Sequence, residues 1–259
     1  MNYAEIRPNR ELRAYARAQL KGAWGGMAYT YFIYFLIFLP YNVISLLDSF
    51  LNSDDNNLLY FQISIRNFLD SYMPDFVPII PVINGVLTIA VLLAAGPFAL
   101  GFAGFFLKRL RGEQIAVENI FDGFNRFFPS FLLWFFTTLF TVLWSLLLVI
   151  PGIVKALGYS MAFYIMYDDP EIKPLEALKK SQIMMKGYKT QYFLLELSFI
   201  GWMILAALPF GIGFLWLYPY MNLSMANFYE NLKRNQENGR QANQQASQPK
   251  PPIDLFRST

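Results

Sequence analysis

The stretch LWSLLLVIPGIVKALGYSMAFYIMYDDP, residues 143–170, is an almost continuous apolar run that carries a Pro-Gly pair near its centre. The longer apolar segment 127–167 has 41 residues, and its one charged side chain is Lys155. About 20 apolar residues cross a bilayer core, so this segment is long enough for two crossings. Because proline ends a helix and glycine permits a tight turn, we predict a transmembrane hairpin with its tip at Pro151-Gly152. A proline kink within one long helix is the alternative.

The composition of the whole chain is typical of a membrane protein. Of its 259 residues, 55% are apolar and 15% are charged, which is less charge than soluble domains carry. The chain has no Cys and no His, which excludes disulfides, zinc sites built on those residues and Ser-His or Cys-His catalysis. We predict no cofactor, no metal site and no nucleic-acid partner. The net charge of +3 is better explained by basic residues on the cytoplasmic side of a membrane.

Six apolar segments predict an all-α fold, a polytopic integral membrane helical bundle of about six transmembrane helices. The charges between the segments predict the orientation. Every lysine and arginine except Arg66 and Lys155 lies before the first segment, in the loops 108–126 and 168–190, or in the C-terminal tail. The positive-inside rule makes all of these regions cytoplasmic. The six segments are 25–47, 79–107, 127–150, 153–167, 191–209 and 210–228.

These segments define the predicted organisation of the chain. Residues 1–24 form a cytoplasmic amphipathic N-terminal helix, residues 25–230 form the six-span membrane domain, and residues 231–259 form a disordered cytoplasmic tail. The loop 48–78, which is rich in aspartate, lies on the outer side and contains a short helix. The predicted location is the cell (plasma) membrane, in a multi-pass arrangement with both termini in the cytoplasm.

An amphipathic helix is predicted over residues 9–21. Leu12, Ala16 and Leu20 share one face of this helix, and basic side chains follow another face. This pattern favours a helix that lies on the anionic inner leaflet of the membrane, although a solvated linker helix is the alternative. The basic face consists of Arg10, Arg13, Arg17 and Lys21.

Two further amphipathic segments, 113–124 and 174–186, precede the other predicted hairpins. In all three cases a glycine ends the segment and an aromatic residue follows within two positions: Gly22, Gly123 and Gly187. Glycine suits the position after a helix where the chain turns. We predict three units, each a surface helix followed by a hairpin, with chance similarity as the alternative.

Several long segments occur in a recognisable order: AQLKGAW, FDGFNRF, LWSLLLVIPGIVKALGYSMAFYIMYDDPEI, EALKKSQIMMKGYK, LELSFIGW and GIGFLWLYPYMNLSMANFYENL. Together they resemble a bacterial integral membrane family that is catalogued as domain of unknown function 975. The resemblance covers residues 9–232. It implies a polytopic bacterial plasma-membrane protein, and it supplies no established activity and no catalytic residues.

Polar side chains inside the apolar segments are candidate functional residues, because such groups are costly in a bilayer. The candidate intramembrane polar site consists of Glu196, Lys155 and Asn222. Lys155 follows the predicted outer turn, and we expect it to extend toward the outer interface. Glu196 lies near the inner face, so an ion pair between the two is not expected.

No phosphate-binding loop, nucleophile elbow or zinc-protease motif is present, so we predict no catalytic residues and a protein that is not an enzyme. The first functional prediction is a membrane scaffold or assembly factor whose partners are anionic lipids and a membrane protein. The alternative is a transporter or lipid-handling protein that uses Glu196 and neighbouring polar groups. A cavity that reaches Glu196 would favour transport, and a solid bundle would favour a scaffold.

Overall fold

The computed structural model describes residues 6–52, 59–209 and 211–246. These residues form helices joined by turns and short loops, and no strand occurs among them, which confirms the predicted all-α class. The elements are α1 (Asn9–Leu20), α2 (Trp24–Leu51), α3 (Leu59–Tyr72), α4 (Phe76–Leu110), the 3-10 helix η1 (Val117–Arg126), α5 (Phe127–Leu147), α6 (Val149–Tyr159), α7 (Ala162–Asp168), α8 (Pro174–Met184), α9 (Lys189–Leu197), α10 (Ile200–Ala207) and α11 (Phe214–Ala246).

Five helical stretches in the described part of the chain are long and apolar enough to cross a membrane. The sixth predicted span overlaps the first half of α11, where tyrosines, asparagines and Pro219 make the helix less apolar. The five stretches are Trp24–Leu51, Phe76–Leu110, Val117–Leu147, Val149–Asp168 and Lys189–Ala207.

The hairpin at the centre of the chain turns three residues before the predicted Pro-Gly pair. The single residue Leu148, in extended conformation (φ −160°, ψ 138°), joins α5 to α6. Pro151 is the third residue of α6, in the first turn, where a missing N–H breaks no helical hydrogen bond. A Cβ atom on Gly152 would overlap the side chain of Ser145, so α5 and α6 touch directly after the turn. The two apolar segments are therefore separate helices that pack against each other.

The main core surrounds the second half of α4. Residues 96–107 of this helix are nearly all buried, and glycines let neighbouring backbone approach closely. A Cβ atom on Gly101 would overlap the carbonyl oxygen of Ile120 in η1, and one on Gly123 would overlap the carbonyl oxygen of Pro97. Within the amphipathic segment predicted over 113–124, only the part from Val117 onward is helical, as the 3-10 helix η1, which lies tightly against α4.

The three glycines of the predicted repeat have two different roles. Gly22 and Gly187 have positive φ angles of 81° and 87°, and each follows a helix as predicted. Gly123 lies within η1, and its lack of a side chain lets η1 pack closely against α4. At the glycine position, the predicted similarity therefore holds for two of the three segments.

The opposite end of the bundle contains α3, the helix predicted in the loop 48–78. It packs beside a small core made of Leu51, Val77 and Ile80. We call this the α3 end of the molecule. The α1 end is the opposite one, where Arg109 near the end of α4 donates to the backbone oxygen of Gln19 in the last turn of α1 at 2.6 Å.

The C-terminal region is more ordered than predicted. Residues 231–246, which the sequence assigned to a disordered tail, continue α11 as a helix. Leu232 is buried, and the Asn231 amide donates to the backbone oxygen of Asn227 at 2.7 Å, so the helix is held by packing past the predicted boundary. The remainder of the predicted tail, 247–259, lies outside the described residues.

Candidate functional site

A large cavity of about 1070 Å³ lies between α2, α4 and α11, with α7 and α9 completing its wall. Phe32 and Phe35 of α2 line it and are exposed, as are Ile212 and Tyr218 on the opposite side. The cavity is therefore open between α2 and the start of α11. This opening lies along helices whose outer surface is apolar.

Aromatic rings form most of the wall. The ring of Tyr31 stacks on Phe102 with centroids 5.1 Å apart and on Tyr218 with centroids 5.7 Å apart. Tyr34 meets Phe102 edge-on at 5.1 Å. These rings support one another in offset and edge-to-face contacts, which are the favourable geometries for aromatic pairs.

Two polar groupings face this aromatic wall. Asn222 donates to the hydroxyl of Tyr31 at 2.9 Å and to the backbone oxygen of Tyr218 at 3.0 Å. On the other side, the side chain of Tyr192 is buried, and Ser160 and Glu196 lie close to its hydroxyl. Because Ser160 and Tyr192 both line the cavity, Glu196 lies one side chain behind its wall.

Two of the stretches that could cross a membrane are interrupted, and the first interruption lies at this cavity. The helix breaks between α6 and α7 at Ser160, and again between α9 and α10 at Ser198. At the first break the hydroxyl of Ser181 donates to the backbone oxygen of Gly158 at 2.7 Å and accepts from the N–H of Met161 at 3.2 Å. One buried hydroxyl thus pairs with two of the backbone groups at the break.

The structure places two of the three residues of the predicted intramembrane site at or behind the wall of the cavity. Asn222 lines the cavity and Glu196 contacts it through Tyr192. Lys155 belongs to a different surface, where its ammonium lies 4.8 Å from the ring centroid of Trp144 in a cation–π contact. Lys155 therefore extends back toward the α5–α6 turn.

The predicted basic face of α1 is presented by a helix that docks on the protein. Leu12, Ala16 and Leu20 are fully buried, and Asn227 of α11 donates to the backbone oxygen of Leu12 at 3.1 Å. The apolar stripe of α1 therefore packs inside the bundle. In the described part of the chain, none of the basic side chains of this face forms an ion pair: Arg10, Arg13, Arg17 and Lys21.

A charged network fastens α4, α7 and α11 together at the α1 end. Asp168 accepts from Arg111 at 2.7 Å, from Lys233 at 2.6 Å and from the Tyr229 hydroxyl at 2.8 Å. Arg111 also donates to Glu230 at 2.7 Å. Partial burial acts to lower the pKa of Arg111, but its hydrogen bonds to the two carboxylates outweigh this and raise it. Burial, and then the neighbouring Asp168 carboxylate, raise the pKa of Tyr229.

The sequence interpretation did not single out the tyrosines of the cavity. Tyr31, Tyr164 and Tyr192 lie within apolar segments, where tyrosine is a common residue, and their direction depends on how each helix is rotated. The ring of Tyr164 also stacks on that of Tyr229 at 5.3 Å, which connects the cavity wall to the charged network. Among the described residues, no group of three or more acidic side chains could hold a metal ion.

Comparison with known proteins supports the family resemblance over part of the chain. Residues 146–236 match the model of a family described as Protein of unknown function (DUF975), which confirms the predicted resemblance for this region. The matched region contains α6 to α10 and the first two thirds of α11, including Ser160, Tyr192, Glu196 and Asn222. Neither a curated protein nor a solved structure matches the chain.

Proposed function

We propose that this chain is an integral membrane protein that binds an amphiphilic small molecule or lipid in the cavity between α2, α4 and α11, and transports or presents it. The observation that carries the proposal is the cavity itself, with its volume of about 1070 Å³. Small-molecule sites commonly have volumes of about 300–1,000 Å³, mostly apolar walls and a few placed polar groups. The Asn222–Tyr31 pair and the Tyr192–Glu196 pair are such groups.

The direction of the opening agrees with a ligand that arrives from the bilayer. Phe32, Phe35 and Tyr218 line the cavity and are also exposed on the apolar surface of the bundle. An amphiphile could therefore enter sideways from the lipid without first crossing water. The scaffold predicted from the sequence would not need an opening of this kind.

The interrupted helices also support handling of a ligand. Irregular backbone at membrane depth is tolerated where protein buries it or where it lines a cavity, and transporters use such breaks to form binding sites. Ser160 lies at the break between α6 and α7 and lines the cavity. The hydroxyl of Tyr192 lies close to Ser160 and to Glu196.

A cavity-filling substitution tests this proposal. Ala99 of α4 lines the cavity, and Ala99→Trp should fill much of it. Ala90→Trp on the same helix provides the control, because Ala90 is exposed and lies outside the cavity. We expect lipid analysis of protein purified in mild detergent to show a retained amphiphile in the parent protein and in Ala90→Trp, and its loss in Ala99→Trp. Equal retention in all three would refute the cavity as the binding site.

We further propose six spans in a bacterial plasma membrane, with both termini and the α1 end in the cytoplasm. The separation of basic residues supports this orientation, since α3 contains Arg66 alone whereas the α1 end contains most of the other cations. The chain has no native cysteine, so single cysteines report location cleanly. We expect Ser71→Cys on α3 to react with an impermeant thiol reagent in intact cells, and Lys179→Cys on α8 to react only after permeabilisation. The reverse result would invert the topology.

A second candidate function, a scaffold on an anionic surface, is supported by the basic face of α1. Because the apolar stripe of α1 is buried, contact with a leaflet or an acidic partner would be electrostatic. Each basic residue near an anionic surface contributes on the order of 1 kcal/mol. Joint replacement of Arg10, Arg17 and Lys21 by glutamine should reduce the anionic lipid that stays bound in native mass spectrometry, whereas Arg66→Gln should not. Unchanged lipid retention would remove this role.

A further inference from the structure

The direction of α1 is set by its contacts with α11. Asn227 of α11 donates to the backbone oxygen of Leu12, and the guanidinium of Arg17 lies 6.0 Å from the ring centroid of Tyr220. Residue numbers therefore rise along α1 as they fall along α11, so the two helices run antiparallel. The first stretch that is long and apolar enough to cross a membrane begins shortly after α1, at Trp24. The second half of α1 is therefore the part nearer to the bilayer in the proposed topology.

Two arginines on this part of α1 form a pair of unused cations. Arg13 and Arg17 are one helical turn apart, so their side chains are neighbours on the same face, with Cβ atoms about 5–6 Å apart. Among the described residues, neither forms an ion pair or donates a hydrogen bond. Each guanidinium has five N–H donors in one plane. A full set of donors and two positive charges are therefore available to an anion at this place.

Packing anchors Arg13 more firmly than the other basic side chains of α1. Its Nε atom is buried and has no acceptor in the described structure, whereas its two terminal nitrogens are not buried. The stem of Arg13 is thus held between the helices while the end of the guanidinium stays accessible. Arg10, one turn earlier, is exposed. An anchored guanidinium loses less freedom when it binds an anion, and a bound ion is one way in which a buried unpaired donor is explained.

We propose that Arg13 and Arg17 form a discrete site for the phosphate group of an anionic phospholipid. Guanidinium groups bind phosphate oxygens in two-point contacts, and two of them one turn apart are spaced to hold one phosphate between them. The position at the bilayer end of α1 favours a lipid headgroup over phosphate from solution. The site is separate from the cavity, because neither arginine lines it. The inference rests on the second candidate function, and it replaces a diffuse attraction by a site of defined geometry.

Variants that keep the charge test the geometry of the site. Joint replacement Arg13→Lys and Arg17→Lys preserves both positive charges and removes both planar guanidinium groups. Arg234→Lys, at an exposed position on the C-terminal part of α11, is the matched control. We titrate the full chain in mild detergent with phosphatidic acid and follow binding by native mass spectrometry. We expect binding about tenfold weaker in the double variant and unchanged in the control, because hydrogen bonds to charged groups are strong.

The outcomes separate this inference from the function that it rests on. Unchanged binding of phosphatidic acid in the folded double variant would overturn the discrete site. The second candidate function would then still stand if the joint glutamine replacement reduces the retained anionic lipid, because that replacement removes charge. Inorganic phosphate gives the second comparison, and we expect it to compete weakly with the lipid. Complete displacement of phosphatidic acid by an equal concentration of inorganic phosphate would overturn the lipid as the source of the phosphate. If the double variant does not fold, Arg17→Lys alone, at an exposed position, decides in the same way.

Discussion

The two halves of α4 lie in very different surroundings. Residues 96–107, toward the α1 end, are almost entirely buried against η1, α5 and α7, whereas in residues 76–95, toward the α3 end, only Val77 and Ile80 are buried. The apolar surface of residues 76–95 faces the surroundings of the protein, whereas the apolar surface of residues 96–107 is packed inside the protein. The stability of the fold is therefore concentrated at the α1 end, and the cavity lies where the close packing gives way to an open apolar surface.

The glycines of α4 provide the sharpest test of this difference. Gly101→Ala places a Cβ atom on the backbone oxygen of Ile120, while Gly85→Ala has no heavy atom within 4 Å to meet. Overpacking costs about 1–3 kcal/mol or more, and alanine in an open helix position gains about 0.5–1 kcal/mol over glycine. We expect thermal unfolding in detergent to show a clearly lower Tm for Gly101→Ala and an equal or higher Tm for Gly85→Ala. A similar loss in both variants would mean that the two halves are equally constrained.

The charged network at the α1 end should give the next largest effect. Asp168→Asn weakens the contacts to Arg111, Lys233 and Tyr229, and hydrogen bonds to charged groups contribute about 1.5–3 kcal/mol. The adjacent Asp169→Asn is the matched control, because Asp169 pairs with Lys180 at 3.7 Å on the exposed surface. Exposed pairs contribute about 0–1 kcal/mol. We expect urea unfolding midpoints to fall for Asp168→Asn and to change little for Asp169→Asn; equal shifts would contradict the network.

The break between α6 and α7 predicts a smaller, local effect. Ser181→Ala leaves the backbone groups of Gly158 and Met161 without the hydroxyl that pairs with both. Ser145→Ala removes a hydroxyl that bonds only within its own helix, to the backbone oxygen of Thr141 at 2.8 Å. The first change should cost about 1–3 kcal/mol and the second much less. Hydrogen exchange should show faster exchange around the break in Ser181→Ala alone, and unchanged protection there would show that the hydroxyl is dispensable.

The smallest effect is expected at the α3 end of α2. Leu46 is 71% exposed, whereas Leu20 of α1 is fully buried. Leu46→Ala should change the free energy of unfolding by no more than about 0.5 kcal/mol, because exposed sites contribute little. Leu20→Ala, the contrasting variant, should cost about 2–5 kcal/mol by leaving a cavity under α1. A large loss in detergent-solubilised Leu46→Ala would show that this surface has a packing partner.

The helices could be predicted from the sequence because their cause is local. Apolar runs of sufficient length and a Pro-Gly signal predicted the helical hairpin, although the turn lies at Leu148. The stripe of Leu12, Ala16 and Leu20 likewise predicted which face of α1 is buried. It did not predict what buries that face, because an apolar stripe packs equally well on a bilayer or on another helix.

The cavity could not be predicted for a related reason. It depends on which way Tyr31 and Tyr192 turn after several helices have packed, and no local pattern fixes that rotation. Glu196 and Asn222 were singled out from the sequence because polar groups are rare in apolar segments, and their role in a site stays a prediction. The conformation of η1 was missed because the spacing of its apolar residues suits an α-helix, whereas close contact at Gly101 selects the tighter 3-10 form.

The turn at Leu148 has a consequence for how the chain enters a membrane. Residues 146–150 at this turn are all apolar and strongly exposed, so the tip contains no polar loop. In the proposed topology, insertion of this hairpin carries across the hydrocarbon no charge except that of Lys155, which follows the tip. The connection between α2 and α4 must instead be translocated with its aspartates. The α5–α6 hairpin can therefore insert as a unit, with the energetic barrier set by one ammonium group and not by the length of a hydrated loop.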